Sequence, residues 1–155
     1  EGGGYSIGLV VDGSAMGMDG LTFGGGYGET EAGAGVNDKE DTAIFAKYAM
    51  GSVTVGFQRN ELTGGAVGAT EQKADIYSIA FNVNENFAIS YGEKNTDFES
   101  SSSATVEEEV HGVGFSYTMG SMKIAGNRNE GKNLNGSTAI TAEDVDTEIK
   151  LSFAF

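Results

Sequence analysis

The most constraining feature of this chain is that its apolar residues recur at every second position. In VDTEIKLSFAF, Val145, Thr147, Ile149, Leu151, Phe153 and Phe155 share one face, and Asp146, Glu148, Lys150, Ser152 and Ala154 share the other. GVGFSYTM sets Val113, Phe115, Tyr117 and Met119 against Gly114, Ser116 and Thr118. NFAISYGEK sets Phe87, Ile89 and Tyr91 against Ala88, Ser90, Gly92 and Lys94. Successive side chains of an extended chain point to opposite sides, so this alternation specifies strands with one apolar and one small or polar face.

Continued along the chain, the pattern predicts nine strands, at 4–12, 20–29, 41–50, 53–62, 73–83, 86–97, 109–119, 121–130 and 144–155. No segment carries a 3.6-residue period, so the expected fold class is all-β, with antiparallel strands joined as hairpins. Short turns fall near 13–19, 51–52, 84–86 and 120–121, where Gly and Asn tolerate positive φ. Long polar loops fall near 30–40, 63–72, 98–108 and 131–143.

One phrase occurs twice. YAMGSVTVGFQRNE begins at Tyr48 and YTMGSMKIAGNRNE at Tyr117, and the copies agree at seven of fourteen positions. Each puts Gly-Ser at a short turn and Arg-Asn-Glu where the returning strand enters a long loop. The copies stand two hairpin units apart, which makes the phrase a unit of sheet construction.

Strands of this length suit a tilted crossing of the hydrocarbon layer, which takes about 9–11 residues. Short turns at one end and long loops at the other are the pattern of bacterial transmembrane barrels. A membrane-spanning helix is not expected, since no apolar run reaches about 18 residues. In a barrel the apolar face meets lipid. The other face, which includes Thr54, Gln58, Asn60, Ser78, Asn82, Ser90 and Asn127 with the charged Lys94, Lys123, Asp146, Glu148 and Lys150, would line a wet interior. All six tyrosines fall on apolar faces. Tyr48 and Tyr117, each three residues before a short turn, are expected in a girdle at the membrane–water boundary. A soluble sandwich that buries the bulky faces against each other stays open as an alternative.

Charge narrows the partners. With 23 acidic against 9 basic residues and a formal charge of −14, the surface repels a phosphate backbone, and nucleic acid is not an expected partner. Most of the acids flank the long loops and form a solvated rim. Asp38, Glu40, Asp41, Glu107, Glu108 and Glu109 are the candidates there for divalent cations, although no segment has the spaced ligands of an EF-hand. The absence of cysteine removes disulfides, thiolate metal sites and Cys nucleophiles. His111 is the only histidine, and GGGYGE at Gly24 precedes no helix and so is no phosphate loop. Neither enzymatic activity nor a cofactor is expected.

The ending IKLSFAF, closing on Phe155, resembles the terminal strand of Gram-negative outer-membrane porins. The Met-Gly-Ser turns, acidic loops and Gly-rich strands resemble those of alphaproteobacterial general diffusion porins. The resemblance implies a homotrimer of barrels of about 16 strands, embedded in outer-membrane lipid and lipopolysaccharide. Such barrels pass small hydrophilic solutes and ions by diffusion. It implies that Phe153 and Phe155 belong to the signal read by the barrel-assembly machinery, and that the short turns are periplasmic. It makes Lys47, Lys94, Lys123 and Lys150 candidates for one wall of the pore. Nine hairpin-joined strands leave the first and last running the same way, while bacterial single-chain barrels have even strand numbers. The chain, which opens EGGG without Met, is therefore expected to be either a single barrel domain over 1–155 or the C-terminal part of a longer one. A small closed outer-membrane barrel with a structural or adhesive role and a secreted soluble β-protein are the alternatives.

Overall fold

The computed structural model describes residues 2–65, 71–100, 103–139 and 142–154. Nine strands follow in chain order: β1 (Gly4–Asp12), β2 (Leu21–Thr30), β3 (Asn37–Met50), β4 (Val53–Gly65), β5 (Glu71–Asn84), β6 (Phe87–Ser100), β7 (Ser103–Met119), β8 (Met122–Lys132) and β9 (Asp144–Phe153). They make one antiparallel sheet in which every strand pairs with its neighbours in sequence. Two short 3-10 turns, Gly13–Met16 and Leu134–Gly136, lie in the connections, and the described residues contain no α-helix.

The repeated phrase folds the same way twice. Met50 pairs with Val53 around Gly51-Ser52, and Met119 with Met122 around Gly120-Ser121. Gly51 has φ 59° and Gly120 φ 61°, while the serines that follow them keep negative φ. Positive φ at the first central residue alone is the type II′ hairpin turn, whose twist matches that of the strands it joins.

Strands β3 to β7 run longer than the apolar pattern predicts. The stretch 98–108, expected as a loop, is largely the outer half of the β6–β7 hairpin, with Phe98 opposite Val106, Asp97 opposite Glu107 and Thr96 opposite Glu108. The other long connections shorten too, with β3 starting at Asn37 and β4 reaching Gly65. Ladder bonds are made by backbone groups, which pair whatever the charge of the side chains beside them.

The sheet is a single layer and has no core of the usual kind. Ala142 is the only buried apolar residue among those described, while Ile149 is 73% exposed, Ile7 72% and Leu9 67%. A soluble sandwich places such side chains inside. Here the bulky faces pack against nothing among the described residues. The opposite side is crowded instead: a Cβ added at Gly56 would come within 2.7 Å of Ser78 Oγ, and one at Gly114 within 2.9 Å of Ser90 Oγ. Close packing of small residues on one side with splayed large residues on the other is the geometry of a sheet curled toward its small side. That small-residue side is the inner face.

Candidate functional site

The inner face reads as rows of facing residues running across the strands. One row joins Lys47, Gly56, Ser78, Gly92, Gly112, Asn129 and Asp146. The next joins Thr54, Ala80, Ser90, Gly114, Asn127 and Glu148. Lys94, Lys123 and Lys150 fall on the same face, opposite Ile76, Ser152 and Ala125. Register therefore brings all six charged residues expected in a channel wall to one side. Lys150 Nζ lies 3.8 Å from Glu148 Oε1, both well exposed, so the two remain hydrated charges rather than a fixed pair.

The outer face is apolar near the short turns and charged near the loops. Tyr48 and Tyr117 stand on it beside the turns, with the Tyr117 ring 6.4 Å from that of Phe87. A second aromatic band, which sequence analysis did not single out, lies toward the loop end. Tyr5 and Tyr27 have ring centroids 6.0 Å apart, and Phe57 and Tyr77 5.3 Å apart. Tyr27 donates its hydroxyl to Glu29 Oε2 at 2.9 Å, and Tyr91 donates to Glu93 Oε2 at 3.1 Å. The signal was present as Tyr-Gly-Glu at both sites: on a strand, a residue two along shares the face, so the ring stays on apolar ground while its hydroxyl reaches the first acid beyond it.

Outward of this band the same face carries ion pairs. Arg59 donates to both carboxylate oxygens of Asp75, at 2.6 Å each. Arg128 Nη2 lies 2.8 Å from Glu130 Oε1, His111 Nε2 lies 3.7 Å from Glu130 Oε2, and Lys73 Nζ lies 3.7 Å from Glu61 Oε1. The Arg-Asn-Glu of the repeat thus places one arginine and one glutamate outward, with the asparagine turned inward. A shallow apolar groove of 640 Å³ on the outer face is lined by Ile79, Phe81, Ile89, Val113, Phe115 and Ile149, among others.

The carboxylates considered for cations do not assemble. Glu107 and Glu109 stand on the outer face and Glu108 on the inner one, Glu40 faces away from Asp41, and Asp38 Oδ1 accepts the Ala32 N–H at 2.8 Å. Among the described residues no group of three or more His, Cys, Asp or Glu side chains is placed to hold a metal ion. Phe153 sits on the outer face opposite Met122, whereas Phe155 lies outside the described residues.

The most ordered polar cluster is one that the acidic run concealed. Thr96 and Glu108 are the buried polar residues among those described, at 3% and 5% exposure. Glu108 lies in the outer part of β7, beyond the apolar stretch, where the neighbouring outward residues are Glu107, Glu109 and His111. Its Oε1 lies 2.7 Å from Lys94 Nζ and 3.5 Å from Thr96 Oγ1, and its Oε2 accepts the backbone N–H of Asn135 at 2.8 Å. Burial pushes the Glu108 carboxyl up, but the bonds from Lys94, Asn135 and Thr96 outweigh it and hold the group below its ordinary value.

Asn135 belongs to the β8–β9 connection, which turns back over the inner face. Asn133 donates its side-chain amide to the Glu107 carbonyl at 2.9 Å. Asn133, Asn135 and Gly136 have φ of 52°, 58° and 70°, the left-handed region that Asn and Gly enter at least cost. Gly136 has to be glycine on packing grounds as well, because a Cβ there would lie 2.7 Å from Cγ of Phe98. Beneath this turn a cavity of 450 Å³ is lined by Asp41, Asn60, Gln72, Thr96, Phe98 and Asn135, among others.

Solved structures share the fold. The in-vitro folded OmpT, an outer membrane protein of Vibrio cholerae, superposes with a TM-score of 0.64 at 13% identity, covering 86% of this chain and 51% of that one. The outer-membrane expressed OmpT of Vibrio cholerae gives 0.55 at 16% identity, with the same coverage. The chain spans about half the length of these proteins. No family model and no curated protein matches the sequence. The fold is that of an outer-membrane β-barrel protein.

This likeness corrects one expectation. Enzymatic activity is not expected from the motifs, yet a fold shared with OmpT is a scaffold that does not decide what chemistry its rim carries. The exclusion is withdrawn.

Proposed function

We propose that this sheet is part of the wall of an outer-membrane channel, a porin through which small hydrophilic solutes and ions diffuse. One observation carries the proposal: one face of a single-layer sheet exposes large apolar residues such as Ile7, Leu9, Ile79, Phe115 and Ile149, while the central rows of the other are built mainly of Gly, Ser, Asn, Ala and Lys. The apolar face is suited to hydrocarbon and the other to water, which is the division of labour in a porin wall.

Hydrocarbon tolerates no unpaired strand edge. Among the described residues β1 and β9 each have one ladder partner, and nine antiparallel strands leave these two pointing the same way. An all-antiparallel barrel then needs an odd number of further strands between β9 and β1. In this proposal outer-membrane lipid and lipopolysaccharide cover the outer face. Phe153 and Phe155 are part of the signal read by the assembly machinery, and the working unit is a homotrimer.

Planar-bilayer recording of the intact, detergent-purified protein tests the channel. Stepwise conductance is expected. Folded protein, β-rich by circular dichroism, that never conducts would overturn the channel and leave the barrel standing. Protein that stays folded and dispersed without detergent would overturn both.

A further inference from the structure

We propose that the segment Asn133–Ser137 is a constriction folded into the channel, and that Glu108 is the positioning residue that pins it there. The inference rests on the inner face being a channel wall. Three contacts hold the segment to that face: Asn135 N–H to Glu108 Oε2 at 2.8 Å, Asn133 Nδ2 to the Glu107 carbonyl at 2.9 Å, and Gly136 against the Phe98 ring. A loop pointing into bulk water needs no such anchorage, and its carboxylates stay hydrated. Glu108 is instead almost wholly buried, with its side chain 7% exposed, and its two oxygens are divided between the wall and the turn. Burying a carboxylate is costly unless its bonds are replaced, so the turn and the charge depend on each other.

The pin also sets the charge of the passage beside it. Lys94 Nζ is neutralised by Glu108 at 2.7 Å. In the cavity under the turn Asp41 has no ion pair or hydrogen bond among the described residues, and Asn60, Gln72 and Thr96 supply neutral polar groups. Such a passage favours neutral polar and cationic solutes over anions. Removing the Glu108 carboxylate both frees the turn and exposes the Lys94 charge, so size and selectivity change together.

The chain has no cysteine, so Leu134→Cys gives a clean site for a water-soluble maleimide in the intact protein. Glu108→Ala should raise single-channel conductance, shift the reversal potential toward anion preference and speed labelling at position 134. A double variant, Lys94→Glu with Glu108→Lys, keeps an ion pair in the wall but takes the carboxylate from Asn135. It should release the turn as Glu108→Ala does, and it serves if the single variant fails to fold. Folded variants with wild-type conductance, reversal potential and labelling would overturn the pin. Accelerated labelling in a protein that never conducts would keep the pin and overturn the constriction together with the channel.

Discussion

Arg59 on β4 and Asp75 on β5 face each other across the ladder and form a two-point pair on the outer face, at 2.6 Å through each carboxylate oxygen. The pair stands where Phe57 and Tyr77, two residues inward on each strand, end the apolar surface. A planar guanidinium grips a carboxylate in a fork that lysine does not reproduce, so the contact ties two strands at the edge of the apolar surface. Arg59→Lys should keep the charge yet lower the thermal unfolding midpoint in detergent. Arg59→Ala should lower it further, because Asp75 is then left without its partner. Equal midpoints for all three proteins would remove any structural role for the pair.

Gly51 and Gly120 open the two type II′ turns with φ of 59° and 61°. A side chain forced into that region costs about 1 kcal/mol. Neither position has an atom within 4 Å of an added Cβ, so the penalty is conformational and not steric. Gly51→Ala and Gly120→Ala should each destabilise the sheet by about that amount, and the double variant by their sum because the turns share no partner. Urea unfolding from micelles reads this directly. A stabilised alanine variant would contradict the turn assignment.

Period-two alternation made the two faces legible because strand side chains have nowhere else to go: once Val113, Phe115 and Tyr117 share a side, Gly112, Gly114 and Ser116 must take the other. The tight turns were legible for a similar local reason, the Gly-Ser pairs. Strand ends were not. Residues 103–109 carry Ser, Thr and three consecutive Glu, a composition of loops, yet their backbone pairs with β6 and leaves no mark on the side-chain pattern. Glu107-Glu108-Glu109 looked like one acidic run; alternation alone turns Glu108 inward. What it meets there, the backbone of Asn135, lies 27 residues on, in a loop whose conformation depends on two left-handed asparagines and a glycine. Long-range contacts of that kind have no local signature. The tyrosine band toward the loops does have a local signature, the repeated Tyr-Gly-Glu.

Lys150 gives the simplest test of the inner face. Its side chain is 68% exposed and its nearest acid, Glu148, is 3.8 Å away, so its charge is open to the interior. Lys150→Glu replaces a positive by a negative charge on the wall and should move the reversal potential in a salt gradient toward cation preference. The shift should shrink as ionic strength rises, since the screening length falls from about 30 Å at 0.01 M to about 3 Å at 1 M. A reversal potential indifferent to the substitution at low salt would put Lys150 outside the conducting path.

Acid should release the turn at Asn135. Glu108 is held below its ordinary value of 4.5 by Lys94, the Asn135 N–H and Thr96, against the opposing effect of burial. A carboxylate depressed in the folded state adds stability above its unfolded value and loses it as pH falls through the lower, folded value. The pin is therefore intact at neutral pH and fails only below about 4.5, the ordinary glutamate value. The other charged groups on that face beside it are Lys94 on β6, paired with it at 2.7 Å, and Asp41 on β3, which lines the same cavity. Labelling of Leu134→Cys at a series of pH values, with the label's own pH dependence taken from the Glu108→Ala background, should accelerate only in the acid range. Acceleration that begins near neutral pH would mean that a group other than Glu108 holds the segment, and no acceleration down to the lowest pH at which the protein stays folded would mean that the carboxylate bond is dispensable.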